Sequence, residues 1–105
     1  MADEVSVDQL VLELERGATV IDVREVHEYL EAHVPGVRLV PLGTVPDELD
    51  ALPTDETLFV ICHSGARSLS AADYLNAHGL TAVSVAGGTS AWIQRGLDYA
   101  TGDDR

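Results

Sequence analysis

Thr57-Leu58-Phe59-Val60-Ile61-Cys62-His63-Ser64-Gly65-Ala66-Arg67 is the stretch that decides the fold. Its first five residues are β-favouring and almost continuously apolar. That pattern suits a strand buried on both faces, as in a parallel sheet covered by helices on each side. A loop containing Gly65 follows, and then Leu69, Ala72 and Leu75 recur three residues apart, one apolar face of a helix that Gly79 closes. Strand, tight loop and helix together form one half of a parallel crossover unit.

Working outward, the same alternation recurs. Ala18 to Val23 is a second nearly continuous apolar run, Thr81 to Val85 a third, and Val37 to Val40 a short one after the Pro35-Gly36 turn. Ser6-Val7-Asp8-Gln9 fits a capping box and predicts a helix from Val7 to Arg16, stopped at Gly17. Further helices are predicted over Glu25 to Ala32, over Pro46 to Leu52 with Thr44 as cap and Pro53 as terminator, and over Ser90 to Arg95 after a sharp break at Gly87-Gly88. The fold class is therefore α/β, with a central parallel sheet of about five strands and helices on both faces. Residues 5–102 form one domain, with 1–4 and 103–105 as flexible termini and Thr101 to Arg105 as a frayed tail.

A chain of 105 residues has room for one core. With 46% hydrophobic and 23% charged residues it has the balance of a folded protein rather than a disordered one. Eighteen acidic residues face six arginines and no lysine, a formal net charge of −12. Such a surface repels nucleic acid and anionic membrane, both of which are held by basic side chains. A small anionic substrate is repelled at long range too, so its site must carry local positive potential. No apolar run reaches the ~20 residues of a membrane span, and the Met-Ala-Asp-Glu start resembles no secretion signal. One cysteine permits no internal disulfide, and a cytoplasmic, reducing setting is expected.

In open parallel sheets ligands bind beyond the carboxyl ends of the strands, and Cys62 stands at such an end. The loop His63-Ser64-Gly65-Ala66-Arg67 can aim successive amides at one point, with Gly65 supplying positive φ, the next helix its dipole and Arg67 a full charge. A thiol at the base of this cradle should ionise more readily than a free one and act as a nucleophile.

Five stretches, in order, resemble the rhodanese (thiosulfate sulfurtransferase) family. They are Asp22-Val23-Arg24, Glu28-Tyr29, His33-Val34-Pro35-Gly36, the Cys62–Arg67 loop with Ser68, and Gly87-Gly88-Thr89-Ser90-Ala91-Trp92. Ala32, where a Gly often precedes the His, and Asp98, where a Pro often follows Gly-Leu, are small departures. The resemblance implies a rhodanese-like fold and a persulfide mechanism. Cys62 takes the outer sulfur of a small anionic donor such as thiosulfate, the amides of His63, Ser64, Gly65, Ala66 and Arg67 hold the terminal sulfur, and a thiol or cyanide removes it. No cofactor is implied and a monomer is expected. The alternative is a sulfur-relay or protein-interaction module whose partner is a protein sulfur acceptor, with little turnover of free thiosulfate. Phosphatases that share the fold place five residues between Cys and Arg. Here four intervene and Ser68 occupies the phosphatase Arg position, so the smaller loop suits one sulfur rather than a phosphate.

Supporting roles are expected for Asp22, Arg24, Gly87 and Gly88. Arg24, four residues before Glu28, is placed for an ion pair with it. Asp22 is read as a loop-anchoring acceptor, Gly87-Gly88 as permitting close backbone approach to the loop, and Trp92 as core. His63 is either a tuner of Cys62 or an interchangeable exposed residue. His27, His33 and His78 lack metal-ligand spacing, and His78 reads as a helix-end cap.

Overall fold

The computed structural model describes residues 1–104. The strands are β1 (Glu4–Val5), β2 (Thr19–Asp22), β3 (Arg38–Leu39), β4 (Thr57–Ile61) and β5 (Thr81–Val85). The helices are α1 (Val7–Glu15), α2 (Val26–Glu31), α3 (Val45–Glu48), α4 (Ala66–Ala77) and α5 (Gly88–Gln94). The five strands form one parallel sheet in the order β1-β5-β4-β2-β3. The two-residue β1 is too short to show a period, and Val5 reaches the sheet by pairing with Val85.

β4 shows why its sequence carries no polar alternation. Leu58, Val60 and Cys62 pack on one face with Val45, Ala71, Ala72 and Leu75 from α3 and α4. Phe59 and Ile61 pack on the other with Val7, Leu10, Tyr29 and Trp92 from α1, α2 and α5. Successive side chains of a strand point to opposite faces, so both sets must be apolar when both faces are covered. α4 meets the sheet through Ser68, Ala71, Ala72 and Leu75, whereas Leu69 is only half-buried. The three-residue spacing thus located the helix but set its buried face slightly wrong.

Chain order places the site. β2 feeds α2 and then β3 on one side, while β4 feeds α4 and then β5 on the other, and α2 and α4 lie on opposite faces. The two loops therefore diverge where Asp22 and Ile61 stand side by side, register partners at the carboxyl ends of β2 and β4. That is the topological switch point at which an open α/β sheet leaves a crevice.

Several local expectations are modified. The Ser6 hydroxyl accepts from the Gln9 amide at 3.1 Å, but the Gln9 side chain turns to Glu13 instead of closing the box. The reciprocal box occurs at α2, where Glu25 and Glu28 cap each other's amides. The region of Pro46 to Leu52 divides into short α3 and a 3-10 turn over Leu49–Ala51, and the Thr44 hydroxyl bonds back to the Pro41 carbonyl instead of capping forward. α5 starts at Gly88 rather than Ser90, so the glycine pair opens the helix instead of preceding it. At the carboxyl terminus, where fraying was expected, Ala100 exchanges backbone bonds with His33 and the Gly102 amide donates to Leu30 at 2.7 Å. The His33 ring is fully buried, stacks on Tyr29 with centroids 3.7 Å apart, and meets the Asp104 carbonyl oxygen. Arg105 lies outside the described residues.

Candidate active site

Cys62 ends β4 and is 1% exposed. Its Sγ accepts from the Gly65 amide at 3.1 Å and lies 3.4 Å from the Ser68 hydroxyl. Ser68 Oγ is in turn 2.7 Å from Ser84 Oγ, and both serines are fully buried. With the thiol protonated, Sγ donates to Ser68 Oγ, which donates its one proton to the Gly65 carbonyl oxygen at 3.1 Å. Once the sulfur is ionised, that proton can turn to it while Ser84 donates to Ser68. Burial pushes the Cys62 thiol up. The Ser68 hydroxyl and the amides of Ser68, Gly65 and Ser64 outweigh it and hold the thiol below its ordinary value. The site stabilises a thiolate.

The loop is shaped from behind by α5. The Thr89 amide donates to the Cys62 carbonyl at 2.8 Å and the Ser90 amide to the His63 carbonyl at 3.0 Å. In a trans peptide the N–H points opposite the C=O. Binding these two carbonyls to α5 therefore turns the amides of His63 and Ser64 away from it. Gly65 caps α4 at φ +114°, a conformation that L side chains rarely adopt. Gly88, at φ +57°, lies so close that a Cβ there would stand 2.4 Å from the Cys62 carbonyl oxygen.

The charged residues are arranged differently from expectation. Arg24 does not pair with Glu28. Its guanidinium forks onto Asp22 (Nε to Oδ1 3.0 Å, Nη2 to Oδ2 2.8 Å) and also reaches the Ala32 carbonyl at 2.8 Å. Asp22 additionally accepts the Arg24 amide at 3.0 Å, and both side chains are buried. Residues two apart at a strand end can meet because the chain turns there, whereas the i,i+4 rule presumes a helix already under way at Arg24, and α2 starts only at Val26. Glu28 instead holds Arg67 in a two-pronged pair at 2.7 and 2.8 Å, joining α2 to α4 across the switch point. The Arg67 guanidinium pulls the Glu28 carboxyl down to about 2, against burial. Glu28, above all, raises the Arg67 value in return.

The structure thus brings Cys62, Ser64 and Gly65 into one loop and puts Arg67 in the first turn of α4, with Gly87 and Gly88 against the loop's back and Asp22 and Arg24 beside it. Ala66 begins α4, and the side chains of His63 and Ser64 face solvent. Trp92 is buried and donates to the Asp98 carbonyl at 2.8 Å. The contribution of Ser84 was missed. A serine among the apolar residues of Thr81–Val85 was its available signal. Among the described residues no cluster of three or more His, Cys, Asp or Glu side chains could hold a metal, and no helix is long and apolar enough to cross a membrane.

The Glu28–Arg67 pair makes a pH-dependent contribution of definite sign. A depressed carboxyl pKa stabilises the fold fully above the unfolded value and loses that effect as pH falls through the folded value. Comparing parent and Glu28→Gln by urea unfolding, the deficit of the variant should be full near neutrality and shrink as pH drops from 4.5 toward about 2. A deficit constant across that range would show that the carboxylate charge is not what holds Arg67.

A parallel sheet with a cysteine at its switch point, its sulfur faced by a loop amide, defines a cysteine-centred α/β domain. The comparisons with known proteins agree with that class. The Rhodanese-like domain family model matches residues 6–95, and the chain belongs to that family. It is 42% identical over 64 residues to the putative sulfur carrier protein YrkF of Bacillus subtilis, covering 61% of this chain but only 35% of that protein's length. It is 36% identical over 77 residues to the thiosulfate sulfurtransferase GlpE of Stutzerimonas stutzeri, covering 72% of this chain and 71% of that one. The crystal structure of a rhodanese-like domain protein from Staphylococcus aureus superposes with a TM-score of 0.81 at 33% identity, over 86% of this chain and 90% of that one. Such relatives support sulfur transfer or sulfur relay as the general activity.

Proposed function

We propose that the chain transfers a sulfane sulfur through a persulfide on Cys62, taking it from a donor such as thiosulfate and passing it to a thiophilic acceptor, in a reducing compartment. The carrying observation is the cradle around Sγ, where the Gly65 amide and the Ser68 hydroxyl already face the sulfur. The same donors would neutralise the terminal sulfur of Cys62–S–S⁻. Attack by the thiolate on the outer sulfur of thiosulfate forms the persulfide and releases sulfite. Attack by cyanide or a thiol on the persulfide restores Cys62. The name of GlpE supports thiosulfate as donor.

A second reading, a relay module fed and emptied by proteins, is favoured by one observation. Arg67, the charge nearest the loop, is paired through Nη1 and Nη2 with Glu28, so a dianionic donor meets a cation whose charge a carboxylate already balances. The name of the carrier YrkF points the same way. Intact mass after thiosulfate exposure, combined with a thiosulfate:cyanide assay, tests both. Gain of one sulfur atom with fast turnover supports the enzyme, and gain with negligible turnover supports the relay. No sulfur gained from thiosulfate or from an organic persulfide overturns both.

A further inference from the structure

Beside the Cys62 loop, between α2 and α5, lies a cleft of about 140 Å³ lined by Arg24, Glu28, Glu31, His63, Thr89 and Ile93 among others. Thr89 is 2% exposed, and its hydroxyl is the one buried side-chain polar atom without a hydrogen-bond partner among the described residues. Its backbone amide is occupied by the Cys62 carbonyl, so the residue is fixed in place while its side chain is unused. A buried hydroxyl without a partner is destabilising. A valine would fill the same volume without that penalty, so the hydroxyl calls for an explanation outside the fold's own bonding.

The charges around the cleft are nearly cancelled. Arg24 is paired with Asp22 and Arg67 with Glu28. Arg16, Arg38 and Arg95 are likewise each within 3.9 Å of a carboxylate. Glu31 is exposed and has no such pair among the described residues. The cleft therefore carries a net negative charge on a chain whose formal charge is −12. Half-exposed Ile93 provides an apolar wall.

We propose that this cleft is the sulfur acceptor's subsite, that the Thr89 hydroxyl is its hydrogen-bonding anchor, and that it favours neutral or cationic thiols over anionic ones. The proposal rests on the persulfide reading and deepens it by naming the acceptor class. In the step it serves, the acceptor's sulfur bonds to the outer sulfur of Cys62–S–S⁻ and the bond from that sulfur to Sγ breaks. The acceptor attacks as its thiolate, its proton already given to solvent. The electron pair of the broken bond goes to Sγ, which is left as the Cys62 thiolate, and the acceptor leaves as R–S–S⁻. No outside oxidant or reductant enters.

The test uses protein loaded with persulfide, whose discharge by cysteamine, mercaptoethanol or mercaptopropionate is followed by intact mass, with rates normalised to thiolate concentration. Thr89→Val should raise the half-saturating cysteamine concentration about three- to tenfold, the range for one neutral hydrogen bond, with a thermal midpoint unchanged or raised. Thr89→Ser should restore the parent value. Glu31→Gln should raise the rate with mercaptopropionate relative to cysteamine by about threefold at low salt, an advantage that high salt removes. Three results would overturn the proposal: equal thiol dependence in parent and Thr89→Val, a lowered midpoint in Thr89→Val, or no preference of the parent against the anionic thiol. A parent that takes up no sulfur from any donor defeats the persulfide reading itself, whereas a parent that loads and discharges normally confines the failure to the subsite.

Discussion

Cys62→Ser is expected to abolish sulfur capture completely and to leave the fold standing. Cys62 is the only cysteine in the chain, so no other thiol can take over. The loss is one of chemistry rather than shape. A serine hydroxyl is far less acidic than a thiol, and the partners that face Sγ, the Gly65 amide and the Ser68 hydroxyl, stabilise an anion without being bases that could remove the proton. The fold should tolerate the change because those same partners can bond the new hydroxyl, which is therefore buried but satisfied. Its stability cost should be about 1 kcal/mol, in the ordinary range for a conservative buried change. Intact mass after incubation with thiosulfate, the thiosulfate:cyanide assay and a thermal melt check this together. A sulfur adduct on the variant, or transfer above the uncatalysed rate, would refute the persulfide mechanism.

The parts of the fold legible in the sequence are those where one local pattern suffices. Thr57–Ile61 has no polar alternation, and that alone implies cover on both faces, hence helices on both sides of a parallel sheet. The position of Cys62 after that strand then places it at a carboxyl end of the sheet. That this end is the switch point follows only from the strand order, in which β4 neighbours β2. The partners of the charged residues were not legible. Arg24 lies four residues from Glu28 and two from Asp22, and the geometry of a strand ending in a turn favours the nearer carboxylate. With Arg24 taken, Glu28 is left to the incoming Arg67, 39 positions later in the chain. Such a pair depends on two helices from opposite faces of the sheet bringing their first turns together at the switch point, which no local spacing encodes. Ser84 and Thr89 belong to the same class. Each is a small polar residue on an element that looked apolar or loop-like, and its meaning appears only when β5 and α5 are laid against the Cys62 loop. The short β1 was invisible for a different reason: two residues show no period, and their pairing is fixed by β5.

The same dependence on α5 gives the second large effect. Gly88→Ala should lower stability by several kcal/mol and sulfur transfer by about a hundredfold or more. A Cβ at position 88 would stand 2.4 Å from the Cys62 carbonyl oxygen, 2.7 Å from that of His63 and 2.8 Å from the His63 carbonyl carbon. All three are backbone atoms, so no side-chain rotation relieves the overlap. The left-handed backbone at φ +57° adds about 1–2 kcal/mol for any L side chain. α5 must then withdraw from the loop, and the bonds from the Thr89 and Ser90 amides to the Cys62 and His63 carbonyls lengthen together. Once those carbonyls are released, the peptide units carrying the His63 and Ser64 amides are free to rotate, and the Gly65 amide that follows them loses its aim at Sγ. Losing two charge-assisted bonds at about 1.5–3 kcal/mol each accounts for a hundredfold rate loss or more. The readout is threefold: a thermal melt, thiosulfate:cyanide transfer, and the pH dependence of Cys62 alkylation, which should move up toward that of a free thiol. Gly43→Ala is the matched control, since nothing lies within 4 Å of a Cβ there. If Gly88→Ala melts lower but keeps the parent alkylation profile and transfer rate, α5 supports the fold without orienting the loop. The cradle would then have to be held by α4 and Ser68 alone.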